Sequence, residues 1–213
     1  INWIENQAKS ANRTALVVGV SGGIDSAVVS TLCAKTSKKL FAVNMPIMQD
    51  LDQITRSDKH LEWLDKNFKD VIKNKIDLSS TFKEFKKNIP AHLHDDLSLA
   101  NSRARLRMIT LYQIASASNG LVVGTGNKVE DFGVGFFTKY GDGGVDISPI
   151  GDLMKSQVFD VGRELKIIDE ILEAKPTDGL WDDGRTDEDQ LGLSYDELEW
   201  AMNNHDKKSI NAK

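Results

Sequence analysis

Between Gly19 and Ser26 the chain reads Gly-Val-Ser-Gly-Gly-Ile-Asp-Ser, two adjacent glycines with hydroxyls and a carboxylate around them. The stretch lies where the apolar run Leu16 to Val20 ends and Val29, Leu32 and Cys33 begin to recur at helical spacing. A helix start has unpaired N–H groups and the positive end of a dipole, so a phosphate can lie against it if no side chain intervenes. Gly22 and Gly23 remove that obstruction, and Ser21 and Ser26 add hydroxyl donors. Asp25 repels a phosphate unless a cation lies between them, which implies Mg²⁺. Other chemistries are testable on the same residues. No Gly-Lys pair supplies a Walker loop, and Val129 stands where a Gly124-Thr125-Gly126 dinucleotide fingerprint needs its third glycine. Gly19-x-Ser21-x-Gly23 does fit a nucleophile elbow with Ser21 as nucleophile, but it follows the first obvious strand, and no histidine is clearly placed as its base. A plain helix-capping turn is the remaining reading.

The elements that must position this turn alternate. Leu16 to Val20, Leu40 to Met45, Val71 to Ile76 and Leu121 to Gly124 read as strands; Ile54 to Asn67 and a long segment carrying Ala104, Met108, Leu111 and Ala115 on one face read as helices. Ile1 to Asn12 reads as a short amphipathic helix rather than a signal peptide. Helix is expected from about Lys155 to Glu173, with a break at Pro176, and Ser194 and Glu197 have capping-box spacing for a final helix. Strands too apolar for one-sided exposure predict an α/β fold with a parallel sheet covered on both faces, and ligands beyond its carboxyl edge. The loops gathered there are Ser21 to Ser26, Pro46 to Ile54 and Thr125 to Val145.

Composition bounds the function. At 213 residues with 40% hydrophobic and 28% charged residues, the chain has the profile of a single globular domain, 1–213, with no second catalytic unit. No apolar run approaches the roughly 18 residues of a membrane span. A net charge of −5 argues against nucleic acid as a partner through overall charge. One cysteine, Cys33, forms no internal disulfide and suits a cytoplasmic location.

The full Ser-Gly-Gly-x-Asp-Ser pattern resembles the pyrophosphate (PP) loop of the N-type ATP pyrophosphatases, enzymes that adenylate a substrate and release pyrophosphate. Within that group, Asn101-Ser-Arg-Ala-Arg-Leu-Arg-Met108, Gly124-Thr-Gly-Asn-Lys-Val-Glu130, Phe137-Thr-Lys-Tyr-Gly-Asp-Gly-Gly-Val-Asp146, Pro149-Ile-Gly-Asp-Leu-Met-Lys155 and Gly184-Arg-Thr-Asp-Glu-Asp-Gln-Leu-Gly192 occur in the order of the ammonia-dependent NAD synthetase family. This resemblance covers about Leu16 to Tyr195 and implies a Rossmann-like, adenine nucleotide α-hydrolase-like fold. It also implies ATP-dependent amidation of deamido-NAD with ammonia, giving NAD, AMP and pyrophosphate through an adenylated intermediate. A homodimer is implied too, and free ammonia as donor, because the chain has neither the length nor a cysteine centre for a glutaminase domain.

By the same resemblance Asp25 and Glu130 are metal ligands, while Ser21, Gly22, Gly23, Ser26, Thr125, Lys155 and Thr177 contact ATP. Asp25 and Lys155 carry catalysis, with Lys155 suited to neutralise oxygens as pyrophosphate leaves. Arg105, Lys139 and Asp146 match contacts to deamido-NAD. Arg103 and Arg107 share a helix face opposite Arg105, because two-residue steps turn a helix by about 200°, so that pair is expected to serve packing, ion pairing or a subunit contact. The family's C-terminal histidine-lysine pair is not clear among Asn204 to Lys207, and the loop after Pro46 is short. Cys33 reads as core, His60, His92, His94 and His205 share no ligand spacing beyond the nearby pair, and the acid run from Asp182 to Asp189 lacks EF-hand spacing. Two alternatives remain: another adenylating amidotransferase, or a nucleotide-binding regulatory module without turnover.

Overall fold

Val17 and Val18 lie fully buried because the strand that carries them, β1 (Ala15–Gly19), is covered on both faces and paired along both edges. In the computed structural model β1 pairs in parallel with β2 (Lys39–Asn44) and with β4 (Gly120–Val122), and β2 pairs in parallel with β3 (Val71–Lys75), giving the order β3-β2-β1-β4. Residues 1–177, 179 and 184–204 are described. Asp182 and Asp183 of the acidic run, and the C-terminal positions from His205 onward, lie outside the described residues.

Successive strand residues point to opposite faces. Leu16, Val18, Leu40, Ala42 and Leu121 share one core with α2 (Ile24–Ala34), α3 (Leu51–Asn67), α6 (Lys155–Glu164) and α7 (Asp169–Leu172). Val17, Val43 and Val122 face the other way, onto Phe82 of α4 (Ser79–Lys87) and Met108, Leu111 and Ala115 of α5 (Asp96–Ser118). The parallel sheet with helices on both faces is therefore present as the sequence predicts. The amino-terminal helix is present too: α1 (Asn2–Ser10) buries Ile4 and Ala8, one turn apart. Among the described residues no helix is long and apolar enough to cross a membrane.

Chain direction across the sheet sets the position of the site. The chain runs outward from β1 through β2 to β3, then returns by α4 and α5 to add β4 on the far side of β1. The crevice between the carboxyl ends of β1 and β4 is thus a topological switch point, the place where open parallel sheets receive ligands.

Two elements differ from the sequence reading. The helix expected from Lys155 to Glu173 is two helices, because Lys166 takes a left-handed φ of 58° and Ile167 N donates to Gly162 O at 3.1 Å. That reversal lets both Ile167 and Ile171 enter the core. The fourth strand ends at Val122; Val123 continues only as a bridge to Ile147, and Asp146 N donates to Val122 O at 3.0 Å.

One buried histidine gives a testable consequence for stability. His60 of α3 is buried, stacks on Trp63 at 5.6 Å and meets Ser30 Oγ through Nε2 at 2.9 Å, while Nδ1 has no hydrogen-bond partner. Charging the ring would bury an unpaired cation, so burial pushes its pKa down from 6.5 to about 4. The folded form therefore resists protonation that the unfolded chain accepts. The stability gained is fully present above pH 6.5 and is lost as pH falls towards 4, amounting to about 2 kcal/mol between pH 7 and pH 5. Urea unfolding at those two pH values is expected to show this loss in the wild type and a correspondingly smaller one in His60→Gln; equal losses refute the assignment.

Candidate active site

At the switch point a single ammonium joins two carboxylates. Lys155, the first residue of α6, has a side chain only 3% exposed, and its Nζ lies 2.7 Å from Asp25 Oδ2 and 2.8 Å from Glu130 Oε1. Asp25 arrives from the first turn of α2, after β1; Glu130 comes from a short π-helical segment, Lys128–Val134, after β4. Asn127 joins the two. Its Oδ1 accepts from Val129 N and Glu130 N, capping the segment, and its Nδ2 donates to Asp25 Oδ1 at 3.0 Å. From α9 (Tyr195–Asn204), the Tyr195 hydroxyl contacts Glu130 Oε1 at 2.7 Å and Asp187 Oδ2 at 3.2 Å, and its ring lies 4.9 Å from Lys155 Nζ. Asp187 opens α8 (Asp187–Leu191), so the last two helices are tied directly to the cluster.

The electrostatics follow from burial and this geometry. Burial and the nearby Glu130 carboxylate push Asp25 up against the pull of Lys155. Burial acts on Glu130 in the same sense, but Lys155 and the hydroxyl of Tyr195 outweigh it and hold Glu130 ionised. Burial alone would neutralise Lys155; the two carboxylates more than compensate and keep it charged. Two acids and one lysine leave an excess negative charge, and the donor set is hard oxygen. These residues fit Mg²⁺, which commonly takes one or two carboxylates with phosphate oxygens.

The glycine turn stands beside the cluster. Gly23 caps α2, Ser26 Oγ donates to Gly23 O at 3.0 Å, Ser21 N donates to Ser26 Oγ at 3.1 Å, and Gly23 N donates to Ser21 Oγ at 3.3 Å. The hydroxyls thus brace the turn internally while leaving it open. Gly22 has a φ of 87°, and the start of α3 lies directly behind it. The far wall of the cleft is the segment ending in Pro176 and Thr177. Thr177 Oγ1 donates to Arg185 O and accepts from Gly179 N.

Other candidates occupy a second region. Arg105 is exposed and donates from Nε to Lys139 O at 3.0 Å, which pins the glycine-rich loop to α5. Lys139 is exposed, with Nζ 5.1 Å from the Tyr140 ring. Asp146 accepts from Val122 N at 2.8 Å and from the Tyr112 hydroxyl at 2.9 Å, so both its oxygens serve the loop's anchorage. Beside them an open groove of about 490 Å³ is lined by Met108, Ile109, Tyr112 and Tyr140 among others. Arg103 and Arg107 pack inward: one lies over the Phe82 ring at 5.9 Å, and the other donates to Met45 O at 2.9 Å. Thr125, half-buried, follows β4 into the crevice. Cys33 is buried, and burial pushes its thiol pKa up. It is inert core, not a nucleophile.

The sequence reading missed Asn127 as a linker and Tyr195 as a partner of Glu130. Asn127 stands three residues before Glu130, a spacing that signals an N-cap. Tyr195 carries no comparable local signal.

A glycine turn after the central strand, an acid in the first turn of the following helix and a second acid across the switch point define a PP-loop nucleotide-binding α/β protein. The chain belongs to the NAD synthase family, whose model matches residues 1–213. It is an enzyme of that family, a ligase. It is 39% identical over 203 residues to the NH(3)-dependent NAD(+) synthetase of Carboxydothermus hydrogenoformans, covering 93% of this chain and 81% of that protein. The NMN synthetase structure from Francisella tularensis matches with a TM-score of 0.89 and 33% identity, covering 98% of this chain and 84% of that one. The NH3-dependent NAD synthetase from Campylobacter jejuni, solved with a nitrate ion, matches at 0.78 and 28%, covering 97% and 81%.

Proposed function

We propose that the cluster of Asp25, Glu130 and Lys155 and the turn Ser21–Ser26 hold ATP for the ATP-dependent amidation of deamido-NAD by ammonia. The convergence of both acids on one buried ammonium carries the reading, because it makes a charged, prearranged site beside the glycine turn. Asp25 and Glu130 would hold Mg²⁺, which when bound neutralises triphosphate oxygens and the departing pyrophosphate. Lys155 keeps the two acids together and adds positive charge near those oxygens. Gly22, Gly23, Ser21 and Ser26 present donors to the phosphates; Thr125 and Thr177 border the nucleotide.

In the first step an oxygen of the nicotinate carboxylate attacks the α-phosphorus, and the bond to pyrophosphate breaks. Ammonia then attacks the carbonyl carbon of the acyl adenylate; AMP leaves with the bonding pair, and the nitrogen sheds a proton. The protein supplies alignment and charge rather than a nucleophile. Arg105, Lys139 and Asp146, at the groove on α5, receive the dinucleotide. Exposed Leu97 and Ile109 on α5, with exposed Tyr140, support burial of this face in a homodimer. Residues 1–213 act as one synthetase unit, in the cytoplasm, on small molecules rather than on nucleic acid or membrane.

A second reading extends the acceptor to nicotinate mononucleotide; the 0.89 superposition on a structure named as an NMN synthetase supports it. One assay separates the readings. Protein, ATP, Mg²⁺ and ammonium are mixed with deamido-NAD or with nicotinate mononucleotide, and amide product, AMP and pyrophosphate are followed together. Equimolar NAD, AMP and pyrophosphate are expected, with loss of about 10²-fold or more in Asp25→Ala and Glu130→Ala. Faster turnover of the mononucleotide selects the second reading, and unaltered activity in both variants overturns the metal assignment.

A further inference from the structure

Lys155 is enclosed by Asp25 and Glu130, so its charge is already matched before any nucleotide arrives. The wall of the glycine cleft formed by α3 carries another cation. Gly22 has no side chain, and a Cβ there would stand 2.6 Å from Gln53 O, 3.0 Å from Ser57 N and 3.3 Å from Arg56 Cβ. The first turns of α3 therefore abut the glycine turn directly, and Ser57 Oγ fastens them by donating to Val20 O at 2.9 Å. That contact sets Arg56 on the lip of the cleft, lined also by Ser21, Gly22, Gly23 and Thr177. Arg56 is half-buried, and among the described residues its guanidinium makes one long contact, from Nε to Gly22 O at 3.4 Å. Among the described residues no carboxylate pairs with it. A planar fork of donors beside the glycine turn, with no carboxylate partner among the described residues, is matched to the oxygens of a bound phosphate.

From this arrangement we infer that Arg56 is a further substrate-binding residue, contacting the pyrophosphate portion of ATP from the α3 side of the cleft and holding it as it becomes the leaving group. The inference rests on the ATP-site reading given above. Arg56 adds positive charge to that of Lys155, from the helix whose first turns back the glycine turn.

The test measures binding of inorganic pyrophosphate with Mg²⁺ by calorimetry, and KM for ATP and for the nicotinate acceptor, in wild type, Arg56→Gln, Arg56→Lys and Lys59→Gln. Lys59, on the same helix, pairs with Glu170 at the surface and serves as control. Arg56→Gln is expected to weaken pyrophosphate and raise KM for ATP about ten- to hundredfold, with the acceptor KM unmoved. Arg56→Lys regains part of the loss, and the control matches wild type. Pyrophosphate affinity and ATP KM within twofold of wild type in Arg56→Gln overturn the inference, as do equal losses in both Arg56 variants accompanied by a lowered Tm, which mark a packing role. Failure of the wild type itself to bind pyrophosphate or ATP instead removes the ATP-site reading.

Discussion

Lys155→Met is expected to lower Tm by on the order of 10 °C and activity by about 10²-fold or more, and to make the protein's stability respond to magnesium. The first effect comes from charge. Removing one member of a buried ionic group leaves its partners uncompensated, at a cost of about 3–5 kcal/mol. Here two partners are stranded, Asp25 and Glu130, and among the described residues Asn127 and Tyr195 remain to hydrogen-bond them. Methionine matches the length of the lysine stem, so packing loss is small and the deficit reports on charge. The third effect discriminates. If the two acids form a cation site, Mg²⁺ binds the folded variant and raises its Tm by mass action, more than it raises that of the wild type, in which the ammonium competes. Differential scanning fluorimetry across a magnesium series reads this directly. A variant whose Tm falls but ignores magnesium would leave the cluster a structural ionic knot and sink the metal assignment.

The same cluster shows what could be read from residue order and what could not. The turn Ser21–Ser26 is legible because its chemistry is local: adjacent glycines, hydroxyls and an acid fall within one turn of a helix start, and each has a stated effect there. The sheet is legible because four short apolar runs alternate with helical spacing. The convergence of Asp25, Glu130 and Lys155 is not local. They stand after β1, after β4 and at the start of α6, and only the return of the chain across β1 brings them to one crevice. Sequence alone gives a lysine at a helix start an exposed role, whereas burial between two acids is a property of the assembled sheet edge. Asp146 shows the same limit from the other side. By resemblance it reads as a contact to deamido-NAD, yet here the amide of Val122 and the hydroxyl of Tyr112 both donate to it, one to each oxygen. The stop near Lys166 was hidden because neither glycine nor proline marks it; Gly162, which accepts the reversing hydrogen bond, lies inside the preceding helix.

Gly22→Ala and Gly23→Ala are expected to fail in different ways, although the two glycines are neighbours in one turn. At Gly22 the backbone is left-handed, which costs an alanine about 1–2 kcal/mol. The added methyl also meets backbone, not flexible side chain: Gln53 O at 2.6 Å and Ser57 N at 3.0 Å. Helix α3 must move away, an overpacking cost of about 1–3 kcal/mol that also breaks the bond from Ser57 to Val20. Tm should therefore fall by on the order of 10 °C, with activity lost alongside. Gly23 has an extended backbone with φ −94°, and a methyl there meets only Ser21 Oγ at 3.5 Å, an ordinary contact. Among the described residues nothing demands a glycine at that position. Its lack of a side chain matters only if a ligand lies against the backbone, so Gly23→Ala should keep its Tm within about 2 °C while KM for ATP rises about tenfold or more, as expected for a displaced phosphate contact. Thermal unfolding and ATP kinetics on the pair separate fold from ligand. Full activity with unchanged KM in Gly23→Ala would mean that phosphate does not lie against the turn, and the cradle would have to be sought elsewhere along the crevice.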